Sequence, residues 1–233
     1  MSIISRPARP YVVLVAAMSL DGKLAAAARS PARFGSAADR ARLEQQVAAA
    51  DGVLFGAGTL RAYQTTLPVR DPSLLQQRRQ AGKPPQPVQI VCSRRAELDP
   101  RWRFFQQPVP RWLLTTTVGA TRWSGQPEFD RVLAAPEPLD WPWVLAQWAA
   151  LGLERLALLG GGELVASFLT AAVIDELYLT LCPLLLGGQH APTLCDGDGV
   201  PAAAAGSWQL LAAVPQGDEV FLHYRRRPDP DRC

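Results

Sequence analysis

The chain has almost no lysine and almost no histidine. Lys23 and Lys83 are its two lysines, so arginine carries nearly all of the 24 basic charges set against 21 acidic ones, and the net charge is +3. An excess that small and scattered argues against a nucleic-acid surface, and no basic helix is present. His190 and His223 stand alone, so no His/Cys metal cluster can be assembled from neighbours. Cys92, Cys182, Cys195 and Cys233 show no CxxC pair and no regular spacing, which excludes a disulfide framework. Cys92 and Cys182 lie in apolar, strand-like runs and read as small core residues. No stretch reaches the ~18 apolar residues of a membrane span. The run 164–174 is closed at both ends by a carboxylate, Glu163 and Asp175.

What remains is a chain of 233 residues, 48% of them apolar, enough for the single core of one wide α/β sheet. Arg6 and Arg9 ahead of the apolar run 11–20 imitate a secretory signal. The run is rich in β-branched residues, however, and stops at Asp21-Gly22 as a buried strand would. Pro7 and Pro10 suit an extended lead-in. The expectation is a strand, in a cytoplasmic, soluble protein.

Short β-type runs alternate with helical segments, the pattern of βαβ units and a mainly parallel sheet. Strands are expected at 11–18, 51–56, 88–92, 112–116, 132–135, 156–159 and 174–181. Ser36 followed by Asp39 opens a helix through Ala50, with Leu43, Val47 and Ala50 on one face. Further helices are expected at 142–151 and, following Gly160-Gly161-Gly162-Glu163, to about Ala171. Residues 64–87 are polar and proline-rich and read as a long excursion over the sheet. At the end, 208–214 and 219–225 form a hairpin, an antiparallel edge on the parallel sheet. Arg225, Arg226 and Arg227 read as a solvated end, with 224–233 a flexible tail. One domain over residues 1–233 is expected, with no internal repeat.

Two of these strands deliver glycines at their carboxyl ends and then start a helix: Gly56-Ala57-Gly58-Thr59 and Gly160-Gly161-Gly162-Glu163-Leu164. In an open α/β sheet that edge is where ligands bind. Glycine lets backbone pass close to a phosphate, and the free N–H groups of the next helical turn favour an anion. Neither turn completes GxGxxG, since Arg61 and Val165 take the third-glycine positions, and no Walker GK[ST] exists. Ser93-Arg94-Arg95 follows the 88–92 strand. A hydroxyl and guanidinium there suit a ribose 2′-phosphate, or merely form a solvated turn.

Ala17-Met18-Ser19-Leu20-Asp21-Gly22-Lys23 resembles the "SLDGK" opening of the riboflavin-biosynthesis reductases, the dihydrofolate-reductase-like domains that in many bacteria follow a pyrimidine deaminase. The resemblance continues through Gly56-Ala57-Gly58-Thr59, Leu67-Pro68-Val69-Arg70, Ile90-Val91-Cys92-Ser93, Gly160-Gly161-Gly162-Glu163, Ile174-Asp175-Glu176-Leu177 and Pro183-Leu184-Leu185-Leu186-Gly187, in the family's order. The deaminase signatures HxE and PCxxC are missing. The resemblance implies a three-layer dihydrofolate-reductase-like fold, a mainly parallel mixed sheet with a C-terminal antiparallel hairpin, and a homodimer. It implies NADPH contacted by Ala17, Thr59, Ser93 and Arg94, with its pyrophosphate on the segment that holds Gly160, Gly161, Gly162, Glu163 and Leu164. It implies a substrate pocket lined by Leu67 and Arg70, with Arg70 on a phosphate. The family reaction reduces the ribosyl group of 5-amino-6-(5-phosphoribosylamino)uracil to a ribityl chain. The sequence names no catalytic residue or proton donor, and no metal is expected.

The chain departs from the family's pattern at three places that the resemblance puts on the substrate side. It has Tyr63-Gln64-Thr65-Thr66 where an acidic residue is common, Val47 where an arginine is common, and Leu159 or Gly160 where a glutamate is common. These substitutions leave room for a different pyrimidine, pterin or sugar phosphate, or for a non-catalytic NADP-binding relative.

Overall fold

The structure, a computed structural model, describes residues 8–32, 34–202 and 205–228. Arg6 and Pro7 of the lead-in, and residues 229–233 of the expected tail with Cys233 among them, lie outside the described residues. The elements run β1 (Tyr11–Ser19), α1 (Ala37–Ala49), β2 (Gly52–Gly56), α2 (Ala57–Tyr63), α3 (Pro72–Gln80), β3 (Val88–Cys92), α4 (Arg103–Gln106) and β4 (Arg111–Thr115). They continue with α5 (Thr117–Arg122), β5 (Arg131–Ala134), α6 (Trp141–Ala150), β6 (Arg155–Leu158), α7 (Gly162–Thr170), β7 (Glu176–Cys182), β8 (Trp208–Gln216) and β9 (Glu219–Arg226).

The strands form one sheet in the order β5-β4-β3-β2-β6-β1-β7-β9-β8. All pairings from β5 to β7 are parallel, and β9 runs antiparallel to both β7 and β8. Gly217, at φ +60°, and Asp218 make the two-residue connection of the last hairpin. The sheet therefore has the expected form.

Alternation along β2 shows how the layers are built. Leu54 points into a core with Val12 and Leu14 of β1, Trp141, Val144, Leu145 and Trp148 of α6, and Leu164, Val165 and Phe168 of α7. Val53 and Phe55 point to the other side, onto Val47 and Ala48 of α1, Leu60 of α2 and Phe104 of α4. A strand buried on both faces reads as a continuous apolar run, which is why β1 imitated a signal segment. No described helix is long and apolar enough to cross a membrane.

Helix α1 begins as expected: Ser36 is the N-cap, and its side chain accepts from the Asp39 amide. Four features differ from expectation. The excursion 64–87 contains a helix, α3, whose N-cap Asp71 accepts from the Ser73 and Leu74 amides and whose first residue is Pro72. Its polar composition hid it, yet Arg78 is buried and donates to the carbonyls of Ala48 (2.6 Å) and Ala50 (2.7 Å), closing the C-terminus of α1. The short helices α4 and α5 also lay in stretches read as connections. Gly56 to Thr59 is not a free turn: Gly56 is the N-cap of α2 and the next three residues are helical.

The fourth difference is the end of the chain. Tyr224, Arg225 and Arg226 belong to β9 rather than to a tail. Arg225 Nε lies 3.1 Å from buried Glu176 Oε1, and Arg226 donates to the Ala172 carbonyl, so these two arginines tie the last strand to β7 and to the turn after α7. Burial pushes the thiols of Cys92 and Cys182 up to about 12, in keeping with small, unreactive core residues.

Candidate active site

β2 and β6 are neighbours, with Gly52 opposite Leu156 and Leu54 opposite Leu158. Their carboxyl ends therefore fall side by side, and the two glycine-bearing turns become one surface. Leu159 donates its amide to the Leu54 carbonyl at 2.8 Å, and Gly56 donates to the Gly160 carbonyl at 3.3 Å. Gly160 and Gly161 stand at φ +94° and +86°, a region that L side chains rarely adopt. A Cβ placed on Gly161 would lie 3.5 Å from Thr59 Oγ1, so Thr59 borders the same turn.

Helix α7 starts directly from Gly161 with no side-chain cap. The first intrahelical amide bond runs from Val165 to the Gly161 carbonyl. The N–H groups of Gly162, Glu163 and Leu164 thus point out of the helix with its positive dipole end behind them. The chemistry of this donor set fits a pyrophosphate: backbone amides, two glycines that let an anion approach, and no competing cap. Glu163 is exposed in that first turn, whereas the Leu164 side chain is buried in the core and its contribution is its amide.

The other expected contacts are distributed along the same edge. Ala17 is half-buried near the end of β1. Ser93 follows β3, which pairs with β2 so that Cys92 lies opposite Gly56. Ser93 is buried and its hydroxyl already accepts the Ala96 amide at 3.1 Å, leaving its own O–H to donate. Arg94 is exposed, with Nε 3.5 Å from Glu137 Oε1. Leu67 and Arg70 sit on a separate stretch of chain on the α1 side. Leu67 packs against the α1 core, and Glu44 of α1 accepts the Arg70 amide at 2.5 Å and the Asp71 amide at 2.8 Å. The Arg70 side chain is exposed.

The three departures look different in three dimensions. Val47 is 0% exposed inside the α1 core, and Leu159 packs against that same core. Val47 is therefore closed off from solvent, whereas Leu159 keeps part of its surface exposed. Tyr63 is partly exposed and its hydroxyl donates to the Ala32 carbonyl at 2.8 Å.

Several residues around the site carried no sequence signal of their role. Asp21 accepts the Ser19 hydroxyl (2.6 Å) and the amides of Leu186 (3.1 Å) and Gly187 (2.7 Å). The Ser19 hydroxyl, followed by those amides, holds the Asp21 carboxyl down at about 2. Lys23 and Leu24 lie beside the glycine turn: Lys23 Nζ is 3.4 Å from the Ala191 carbonyl, and Leu24 Cδ1 would stand 4.0 Å from a Cβ on Gly160. The contacts of Asp21 with Leu186 and Gly187, and of Lys23 with Ala191, span more than 160 residues of sequence, so spacing could not reveal them.

A 2,5-diamino-6-ribosylamino-4(3H)-pyrimidinone 5′-phosphate reductase from Methanothermobacter thermautotrophicus is 31% identical over 93% of this chain and 98% of its own. A pyrimidine reductase-like protein from Corynebacterium diphtheriae superposes with a TM-score of 0.80 at 20% identity, over 94% of this chain and 93% of that one. Dihydrofolate reductase from Enterococcus faecalis, solved with NADP(H), superposes with a TM-score of 0.53 at 13% identity, over 94% and 97%. The fold is thus that of the dihydrofolate-reductase-like α/β proteins, as the resemblance implied. Residues 10–221 match the RibD C-terminal domain, and the chain belongs to that family.

Proposed function

We propose that this chain is an NADPH-dependent reductase of riboflavin biosynthesis, converting the ribosyl group of a phosphoribosylaminopyrimidine to a ribityl chain. The observation that carries the reading is the fusion of the β2 and β6 turns into one glycine-lined surface in front of the uncapped amides of α7. In this reading those amides hold the cofactor's pyrophosphate, Thr59 and Ala17 border the nucleotide, and Ser93 and Arg94 take its 2′-phosphate. Bound NADPH supplies a hydride to the sugar C1. The protein's part is to hold both reactants, exclude water and stabilise charge. Leu67 packs beneath the substrate, and Arg70, free to swing at the surface, takes its phosphate.

Two further features support the assignment. Val47, one of the positions that suggested a changed substrate, is a fully buried core residue, so its substitution removes no charge from a pocket. The archaeal relative matched along nearly its whole length is named for the 2,5-diaminopyrimidinone rather than the uracil. This favours the diamino form as a substrate beside 5-amino-6-(5-phosphoribosylamino)uracil. Mixing enzyme and NADPH with each pyrimidine and following NADPH absorbance tests the reading. Oxidation that requires either pyrimidine is expected, and oxidation with neither refutes it.

The described residues act as one reductase domain in the cytoplasm, and the working form is a homodimer. Support for a dimer comes from β8, an edge strand with Leu210 50%, Leu211 37% and Val214 48% exposed. A bare apolar edge of this kind is a site for pairing with another chain. Sedimentation should give twice the 25.3 kDa chain mass; a monomer at micromolar concentration removes this part.

A further inference from the structure

After β7 the chain does not return at once to the sheet. Residues 183–196 run as a strap across the carboxyl edge, over the loop that follows β1, to the first turn of α7. Leu20 donates to the Leu184 carbonyl (2.9 Å), Leu24 to Pro192 (2.8 Å) and Leu194 to Gly22 (3.3 Å), and Lys23 pairs antiparallel with Thr193. The near end is held by Asp21, whose two oxygens accept the Leu186 and Gly187 amides.

The far end is held by a second carboxylate. Asp196 Oδ1 accepts both the Thr193 amide (2.9 Å) and the Thr193 hydroxyl (2.6 Å), folding the strap into a closed turn. The Asp196 amide then donates to the Gly162 carbonyl at 3.1 Å. A Cβ on Gly162 would meet Asp196 Oδ2 at 2.3 Å and the Thr193 carbonyl at 2.5 Å. Gly162, unlike Gly160 and Gly161, has no positive φ. Its lack of a side chain makes room for the strap, and the Asp196 carboxylate fills that room.

We propose that Asp196 is a positioning residue for the nucleotide site: with Thr193 it latches the strap onto Gly162 and so fixes the direction of the α7 amides. The proposal rests on the NADPH reading above. Asp196 makes no contribution to the reacting atoms. It works through a turn whose shape decides whether three amides converge on one anion, and small misdirection of such donors weakens binding steeply. The net charge of Asp196 near an anion site is unfavourable in itself, so the latch, and not the charge, is what the position supplies.

The test compares Asp196→Ala, Asp196→Asn and Thr193→Val with the wild type, measuring the NADPH dissociation constant by fluorescence titration and the KM for the pyrimidine. Asp196→Ala should raise the NADPH constant about tenfold, since it strips two bonds from a charged acceptor. Asp196→Asn retains an acceptor and should stay within about threefold. Thr193→Val should fall between them, and it keeps the test available if the alanine variant folds poorly. The pyrimidine KM should not move. Amide exchange on the cofactor-free protein gives an independent readout, with protection of residues 187–197 lost in Asp196→Ala and kept in Asp196→Asn. Wild-type NADPH affinity in Asp196→Ala, or equal weakening in alanine and asparagine variants, overturns the proposal. A wild type that binds no NADPH removes the nucleotide reading, and the exchange data then judge the latch alone.

Discussion

Gly56 donates its amide to the carbonyl of Gly160, joining the ends of β2 and β6. The two residues are more than a hundred positions apart in sequence, yet this bond makes two ordinary turns into one surface. Gly161 stands next on that surface, at φ +86° with Thr59 beside it. A β-branched residue at such a φ costs about 1–2 kcal/mol and would intrude where an anion must approach. Gly161→Val should therefore abolish NADPH binding while the circular dichroism stays normal. Unchanged affinity in a folded variant would make the turn purely structural.

Cofactor choice should depend on Arg94. Its side chain is exposed and its partner Glu137 is 3.5 Å away, a weak surface pair that a dianionic phosphate can displace. Arg94→Ala should raise the NADPH dissociation constant about tenfold or more and leave that for NADH unchanged, since a charge-assisted bond is worth about 1.5–3 kcal/mol. Calorimetry with both cofactors decides it. Equal wild-type constants would take the 2′-phosphate away from this strand end.

Arg70 is expected to bind the substrate phosphate far from the reacting carbon. Arg70→Ala should raise the KM for the phosphoribosylaminopyrimidine with kcat and NADPH affinity unchanged, the pattern of lost uniform binding. Steady-state kinetics that match the wild type would reduce Arg70 to a surface residue.

The pinning of the strap by Asp21 should appear in acid. The Asp21 carboxyl is lowered from its ordinary 3.8 to about 2, chiefly by the Ser19 hydroxyl and the Leu186 amide. A depressed carboxyl stabilises the fold at pH above its unfolded value and loses that contribution as pH falls through its folded value. Asp21→Asn should melt below the wild type at neutral pH, and the gap should close as pH drops from about 4 towards 2. A gap that stays constant across that window would show that the ionised form matters little.

The sequence spoke most clearly where local chemistry decides the structure. The run ending at Asp21-Gly22 marked β1, Ser36 with Asp39 marked the start of α1, and the glycines marked the ends of β2 and β6 where the candidate site lies, because each depends on neighbours within a few residues. Helix α3 was missed because its exposed face is polar and its anchor is the buried Arg78, whose partners Ala48 and Ala50 lie on α1. Val47 looked like a lost pocket residue only through the family resemblance; its place on the apolar face of α1 with Leu43 and Ala50 already pointed to the core, where it lies. Asp196 was silent because its meaning lies in Gly162, 34 positions earlier.

The most direct measurement of the central claim uses NADPH carrying deuterium at the transferable position. The enzyme is incubated with the phosphoribosylaminopyrimidine, and the product is read by mass spectrometry and NMR. The account requires one deuterium, located on the first carbon of a ribityl chain, in proportion to NADPH consumed. NADPH that binds but transfers no deuterium to the side chain would contradict it.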